Sequence, residues 1–319
     1  MNVLSLFDGL GGARIALDRA GLKVDKYYAS EIDKYAIQIA TKNYPDIIEI
    51  GDVTKLTDDF LKTLDIDLLI GGTPCLNFSM SGNRKGSATK DGVEVVTLEQ
   101  YLQLKKEGFE FEGQSYLFWE FVRVLNIVKP KYFLVENVRL TKKWLPMFNE
   151  ALGVEPIFIN SALVSAQNRP RFYWTNIPNV TLPEDKGIVL ADILEDIKSQ
   201  SLIDKSVKPS VAKNIKEQHN NIIVSNKDFY TMKCTSGYQD NKVGLKKSPC
   251  LRAGNNSTYA LQKGMTYRKL TPLECERLQT IPDNFTEGVS NTQRYKMIGN
   301  GFTIDVIAHI LSNLKIKEV

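Results

Sequence analysis

One thiol, one carboxylate and two guanidinium groups stand in settings that suit chemistry. Cys75 closes the stretch "LLIGGTPC", just past an apolar run and two glycines, where a strand gives way to loop. A thiol displayed there, facing a helix N-terminus or a cation, has a lowered pKa and acts as a nucleophile; a small core residue is the competing reading. Glu136 interrupts the apolar run "FLVENV". A carboxylate at a buried strand end must be paired, face a cleft or keep its proton. In the protonated state it donates to a ring nitrogen as a general acid; a salt bridge to Arg139 or another cation is the alternative. Arg169 and Arg171 lie two apart in "QNRPRFYWTNI", hence on one side of an extended segment. One guanidinium can then hold a carbonyl oxygen or phosphate while the other orders a carboxylate. An exposed pair at a strand start is the plainer explanation.

A second set of residues suits ligand binding. "FDGLGG", from Phe7 to Gly12, is a glycine-rich turn between a strand and a helix. Such a turn lets a ligand approach the backbone at a helix N-terminus, or simply packs tightly. It departs from G-x-G-x-x-G, because the sixth residue counted from Gly9 is Arg14, and this weakens a dinucleotide reading. Glu31 ends the second expected strand, where it takes a ribose diol in two hydrogen bonds or begins the next helix as a surface carboxylate. Asp52, after "IEIG", meets an adenine amino group or caps a helix.

The chain has 319 residues, a net charge of +4 and four cysteines (Cys75, Cys234, Cys250, Cys275) without CxxC spacing. That scatter argues against a zinc site and a disulfide framework and fits a reducing cytosol, so a cytoplasmic protein with no metal is expected. His219 and His309 are the only histidines, which leaves few candidates for Cys-His hydrolysis. The longest apolar run is too short for a bilayer, and "MNVLSLFDGL" has no basic region before its apolar stretch. Neither a signal peptide nor a membrane span is expected. The charge is too mild to identify nucleic acid, although lysines recur between about residues 204 and 256.

These residues must be positioned by an alternation of strands and helices. "VLSLF" (3–7), "VDKYYAS" (24–30), "DIIEI" (46–50), "DLLI" (67–70) and "KYFLVEN" (131–137) read as strands, separated by the helical patterns "GARIALDRAG", with Gly21 as C-cap, and "KYAIQIATKNY". The alternation predicts an α/β fold, a parallel sheet covered on both faces, with ligands beyond the carboxyl ends of its strands. Residues 80–115 read as a mobile active-site loop with some helix of its own, and "SYLFWEFVRVLNIVKP" as an amphipathic helix stopped by Pro130. Gly71 and Gly72 are expected to turn the backbone ahead of Cys75. Thr271 before Pro272 and Glu274 starts a further helix. The expected organisation is a first domain over 1–180, a small irregular lobe over 181–262, and a segment over 263–319 returning to the first domain.

Taken in order, the motifs resemble those of the DNA (cytosine-5) methyltransferase family. "LSLFDGLGGARIAL" resembles its cofactor motif, "GGTPCLNFS" its Pro-Cys motif, "ENV" its catalytic-acid motif and "QNRPR" its Gln-x-Arg-x-Arg motif; "RKLTPLECERLQTIPDNFT" and "YKMIGNGFT" resemble its last two. "GQSYLFWEFVRVL" and "VSAQNRPRFYWTNIP" are most similar to the small prokaryotic and phage relatives of the eukaryotic de novo enzymes. One departure is Leu76, where the family usually has Gln or Asn, with Asn77 one place later.

The resemblance implies a Rossmann-like S-adenosylmethionine-dependent methyltransferase sheet with a small target-recognition lobe. It implies methylation of carbon 5 of cytosine in double-stranded DNA, with S-adenosyl-L-methionine as cofactor, by base flipping and covalent addition of Cys75 to carbon 6. A branch of the family acting on transfer RNA is the alternative. Glu136 would hydrogen-bond the ring nitrogen N3 and the exocyclic amine, Arg171 would hold the cytosine O2, and Arg169 would support the site. Phe7 would stack on the adenine, Gly9 and Gly11 would admit the methionine portion, Glu31 and Asp52 would bind ribose and adenine, and Ile32 and Val53 would flank the adenine ring. Asn300 would close the methionine side. Arg84, Lys85 and Lys90 would contact phosphates, and the lysine-rich 204–256 region would face DNA.

Overall fold

The structure is a computed structural model that describes residues 1–74, 78, 86–195, 205–206, 230–233, 243–245, 247–251, 258–262 and 266–314. The chain divides into two compact units. The first comprises Met1–Ile159, Pro170–Leu182 and Ile307–Val319; the second comprises Asn160–Arg169 and Pro183–Val306. The C-terminal segment is therefore shared, and only its last part belongs with the first unit.

In the first unit the elements run β1 (Asn2–Leu6), α1 (Gly12–Arg19), β2 (Lys26–Ser30), α2 (Lys34–Asn43), β3 (Ile47–Glu49), α3 (Asp58–Lys62), β4 (Leu68–Gly72), α4 (Leu98–Lys106), α5 (Leu117–Val128), β5 (Tyr132–Val138) and α6 (Leu145–Leu152). The strands β6 (Ile157–Asn160) and β8 (Pro170–Thr175) follow, and β7 (Gln167–Asn168), between them in sequence, belongs to the second unit. Seven strands form one sheet in the order β3-β2-β1-β4-β5-β8-β6. β1 pairs in parallel with both β2 and β4, and β4 in parallel with β5. β1 and β4 are almost wholly buried, as strands covered on both faces must be. The chain order reverses between β1 and β4, which opens a crevice beyond their carboxyl ends. The five expected strands are present, and the sheet also takes β8, antiparallel to β5. A fully parallel reading misses this strand because "QNRPRFYWT" declares extended backbone without declaring its direction.

Helix ends follow local chemistry. Asp33 caps α2 by accepting from the N–H groups of Tyr35 and Ala36. Gly21 takes the left-handed conformation just beyond α1, whose C-cap is Ala20. α5 buries its first eight residues, and Lys129 ends it in the left-handed region ahead of Pro130. Trp119, Phe118 and Phe121 of α5 join Trp144, Phe148 and Trp174 in the core.

The expected mobile loop is a folded excursion over its described part. Ala88 bridges to Glu94 and Thr89 to Phe111, and Val95 and Tyr101 are buried. Apolar burial of this kind holds a segment in place, so 86–115 is anchored to the unit's core through Val95 and Tyr101; 80–85 lie outside the described residues.

The second unit contains a five-stranded sheet in the order Val243–Leu245, Tyr230–Lys233, Thr258–Gln262, Thr266–Lys269, Lys205–Ser206, with antiparallel pairing. β7 pairs separately with Ser248–Pro249. Helix Pro272–Leu278 opens on the expected cap: Thr271 accepts from the Glu274 N–H, and the Glu274 carboxylate accepts from the Thr271 N–H. No helix among the described residues is long and apolar enough to cross a membrane.

Candidate active site

Two sets of side chains meet the carboxyl edge of the first unit's sheet. Beyond β1, Phe7 holds a left-handed backbone (φ 57°) and donates its N–H to the Ser30 carbonyl at 2.8 Å. An aromatic residue in that region is an outlier, of the kind that gathers at ligand sites. Gly11 has φ 83°, a left-handed backbone that favours glycine, and a Cβ there would sit in ordinary contact with Ala40 Cβ at 3.4 Å. The Gly9 N–H donates to Glu31 Oε2 at 2.8 Å, and Glu31 Oε1 accepts from the N–H groups of Ile32 (2.7 Å) and Asp33 (2.9 Å). Glu31 is thus a fixed carboxylate that ties the glycine loop to the end of β2. Beside it Ile32 is 68% exposed, whereas Val53 is buried in the core. Asp52 Oδ1 accepts from the Thr54 N–H at 2.9 Å and its hydroxyl at 2.8 Å, capping a short turn over Val53–Lys55. The capping reading of Asp52 is therefore realised, through one of its two oxygens.

Two further carboxylates lie at the same edge. Asp8 is buried and accepts a hydrogen bond from the Tyr27 hydroxyl at 2.5 Å. Burial pushes its pKa up to about 6. Glu49 ends β3, and burial, then the charges of Asp8 and Glu31, push its pKa up to about 7. Asp8 Oδ2 and both Glu49 oxygens have no hydrogen-bond partner among the described residues. This surplus of acceptors suits a cationic ligand and repels a pyrophosphate.

The other half of the edge surrounds β4 and β5. Glu136 pairs across the sheet with Gly72 of β4 and Tyr173 of β8. Arg171 reaches over from β8 and places Nε 2.8 Å from Glu136 Oε1, with both side chains largely buried. Of the readings open for Glu136, the ion pair is the one present, and its partner is Arg171. Next to it, Asn137 Nδ2 donates to Thr73 Oγ1 at 2.8 Å. Cys75, Leu76 and Asn77 lie outside the described residues, as do Arg84 and Lys85. Phe78 is described and fully buried, its ring 5.1 Å from Phe148 and 5.5 Å from Trp144 in edge-on contacts. Gly71 and Gly72 do not turn the backbone: both belong to β4. A Cβ on Gly71 would lie 2.8 Å from the Leu6 carbonyl oxygen and 3.2 Å from the Phe121 ring, so glycine is required for packing. Lys90 forms an ion pair with Glu110.

Arg169 acts within the second unit. Its guanidinium donates to the carbonyls of Gly301 (2.9 Å), Leu251 (3.2 Å) and Gly299 (3.4 Å), and to Cys250 Sγ (3.3 Å). The Gly299 and Gly301 carbonyls flank Asn300, which is exposed at the end of helix Asn291–Asn300. Gln279 Nε2 adds bonds to Ile298 and Gly301 carbonyls, and Gln167 donates to Gln279 Oε1. The two arginines of "QNRPR" therefore serve different units: Arg171 orders a carboxylate, and Arg169 holds carbonyl oxygens of the chain itself. Lys247, in the lysine-rich region, donates to the carbonyls of Ala162 and Ser165. Most of that region lies outside the described residues.

The sequence profile of the C-5 cytosine-specific DNA methylases matches residues 1–316. The chain belongs to the C-5 cytosine-specific DNA methylase family. The type II methyltransferase M1.ScrFI of Lactococcus lactis subsp. cremoris is 28% identical over 330 residues, which cover 98% of this chain and 77% of that protein. M.NlaX of Neisseria lactamica is 26% identical over 331 residues, covering 98% and 96%. The crystal structure of the S. pombe Dnmt2 methyltransferase superposes with a TM-score of 0.64 at 18% identity, over 98% of this chain and 97% of that one. The seven-stranded mixed sheet is thus the methyltransferase sheet, and the protein is a DNA cytosine-5 methyltransferase.

In this methylase the structure adds Asp8, Glu49, Asn137 and Phe78 to the residues that the motifs single out. Asp8 is visible inside "FDGLGG" as a carboxylate in a glycine-rich turn, and Phe78 as an aromatic three places after Cys75. The Thr73 partner of Asn137 and the carboxylates crowded around Glu49 carry no signal in the sequence, because they arise only when separate strands are laid side by side.

Proposed function

We propose that the enzyme methylates carbon 5 of a cytosine flipped out of double-stranded DNA, with S-adenosylmethionine as methyl donor and Cys75 as nucleophile. The observation that carries this reading is the Glu136–Arg171 ion pair, held beside the end of the strand that leads into Thr73, Pro74 and Cys75. S-adenosylmethionine, when bound, supplies an electrophilic methyl group on a sulfonium. Its positive charge fits an edge where Asp8 and Glu49 have unpartnered oxygens, and the fixed Glu31 suits a ribose diol. Ile32 offers an exposed apolar face for the adenine ring, and Asp52 an acceptor for its amino group.

A stacked base hides its carbon 6, so the cytosine must leave the helix at a cost of a few kcal/mol. The Cys75 thiolate then forms a bond to carbon 6, which pushes electron density to carbon 5 and onto N3 and O2. Glu136, having taken up a proton as the base docks, donates it to N3 while its other oxygen accepts from the exocyclic amine, and the Arg171 guanidinium meets O2, so the growing negative charge is balanced where it appears. After carbon 5 has gained its methyl group it loses its proton to a base, and the carbon–sulfur bond breaks to release Cys75. The thiol suits a protein of the cytoplasm, where thiols stay reduced.

Transfer of radiolabelled methyl groups from S-adenosylmethionine tests the reading. Label is expected in duplex DNA, none in transfer RNA, and none in either with Cys75→Ala. Label in RNA alone would place the enzyme in the RNA branch of the family.

A further inference from the structure

The turn that carries Asp52 and Val53 is braced from behind by Arg123, Glu120 and Lys105, side chains given no role by the motif reading. Arg123, on α5, donates to the carbonyls of Val53 and Leu56, each at 3.1 Å, and to Asp58 Oδ1 at 2.7 Å. Its Nε donates to Glu120 Oε2 at 2.8 Å. Glu120 is fully buried, and its other oxygen accepts from the Tyr101 hydroxyl and the Lys105 ammonium. Lys105 also donates to the Thr54 carbonyl at 3.3 Å. The carbonyls of Val53, Thr54 and Leu56 thus each accept from a cation paired with the same buried carboxylate, Arg123 being paired with Asp58 as well.

Tyr101 and Lys105 stand one helical turn apart on α4, the helix of the excursion between β4 and α5. The aromatic side of the same excursion also reaches the turn. Tyr101, Phe111 and Tyr116 stack with centroids 4.9 to 6.2 Å apart. Burial, then the nearby charge of Asp52, raise the pKa of the Tyr116 hydroxyl. If packing alone were needed here, apolar side chains would serve better, because burying a carboxylate with two cations costs desolvation. What apolar groups could not supply is the set of donors that fixes the turn's carbonyls.

We infer that Lys105 and Glu120 are positioning residues for the cofactor, and that cofactor binding at the 52–55 turn is thermodynamically linked to the stability of the 86–116 excursion. The inference rests on the proposed role of Asp52 in holding S-adenosylmethionine. Linkage is reciprocal: whatever α4 contributes to cofactor affinity, the cofactor returns to α4 as protection.

The test combines calorimetric binding of S-adenosylmethionine with hydrogen exchange of the α4 amides, on the full chain, for wild type, Lys105→Met, Lys105→Arg, Tyr101→Phe and Asp52→Ala. Cofactor is expected to slow exchange across α4 in the wild type. Lys105→Met is expected to bind cofactor about tenfold more weakly, a typical coupling, and to lose most of that protection. Its kinetic loss should fall on the cofactor KM more than on kcat, and Lys105→Arg should recover part of it. Tyr101→Phe keeps the ring and removes one donor, so it gives a smaller shift in the same direction and tests the brace even where Lys105→Met fails to fold. Wild-type affinity in both the Lys105→Met and Tyr101→Phe proteins, alongside weakened binding in Asp52→Ala, would overturn the linkage alone. Wild type that does not bind S-adenosylmethionine, or Asp52→Ala that binds it normally, would overturn the cofactor reading and the inference with it.

Discussion

The two halves of the sheet's carboxyl edge handle carboxylates in opposite ways. Around β1 to β3, Glu31 is held by three backbone N–H groups, and Asp8 and Glu49 keep oxygens without partners among the described residues. Around β4, β5 and β8, Glu136 meets the full positive charge of Arg171 at 2.8 Å. The first half has acceptor capacity left over, and it suits a cation. The second is balanced within itself, so a base placed against it meets an acceptor and a donor together. On the proposed reading, one edge thus separates the binding of a charged donor from the polarisation of a neutral ring.

Kinetics can break this division or sharpen it. The largest effect is expected on the balanced side: Glu136→Gln should lower kcat by about 10²–10³ while cofactor affinity stays near wild type. Steady-state and single-turnover rates check this, and a Glu136→Gln enzyme impaired mainly in cofactor KM would erase the distinction. On the acceptor side, Glu31→Ala orphans the N–H groups of Gly9, Ile32 and Asp33. A loss of about 2 kcal/mol, roughly thirtyfold in cofactor affinity, is expected there, with kcat changed less.

The pH dependence of stability gives a third, smaller contrast. Glu49 and Asp8 have folded pKa values raised to about 7 and about 6 from ordinary carboxylate values. A raised carboxyl stabilises the fold below its unfolded pKa, and that contribution disappears as pH climbs through the folded value. The cofactor-free protein should therefore lose thermal stability between about pH 5 and pH 8. Glu49→Gln should flatten that slope and melt higher than wild type at pH 8. A profile in Glu49→Gln that matches wild type would remove Glu49 from the account. The smallest effect belongs to Ile32→Ala. It should weaken cofactor binding about fivefold through lost apolar cover and leave the melting temperature unchanged, because the side chain is exposed in the free protein.

Much of this edge is legible in the sequence. The apolar runs announce β1 to β5, the Thr271–Pro272–Glu274 spacing announces its helix, and the carboxyl ends of the strands are where Phe7, Glu31, Asp52, Thr73 and Glu136 fall. The illegible parts are those fixed by partners far away along the chain. Asn137 finds Thr73 across 64 residues, and Arg169 finds the carbonyl of Gly301 across 132. β3 has only three residues, too few to announce that Glu49 belongs to a crowded carboxylate group. The 86–115 stretch looks like loop because its polar composition hides single buried anchors, Val95 and Tyr101, that owe their burial to α5 and its surroundings. Gly71 shows the same limit on a small scale: its type is legible, but the Leu6 carbonyl and Phe121 ring that require it are not.

The central claim is that Cys75 bonds to carbon 6 of cytosine while carbon 5 is methylated. Duplex DNA polymerised with 5-fluorocytosine in place of cytosine tests it directly, since fluorine at carbon 5 cannot leave as a proton does and the carbon–sulfur bond then persists. Incubation with S-adenosylmethionine should give a denaturation-resistant protein–DNA complex whose peptide mass maps the adduct to Cys75, with none formed by Cys75→Ala. Methyl transfer to ordinary DNA with no adduct on the fluorinated duplex, or an adduct on another residue, would contradict the account.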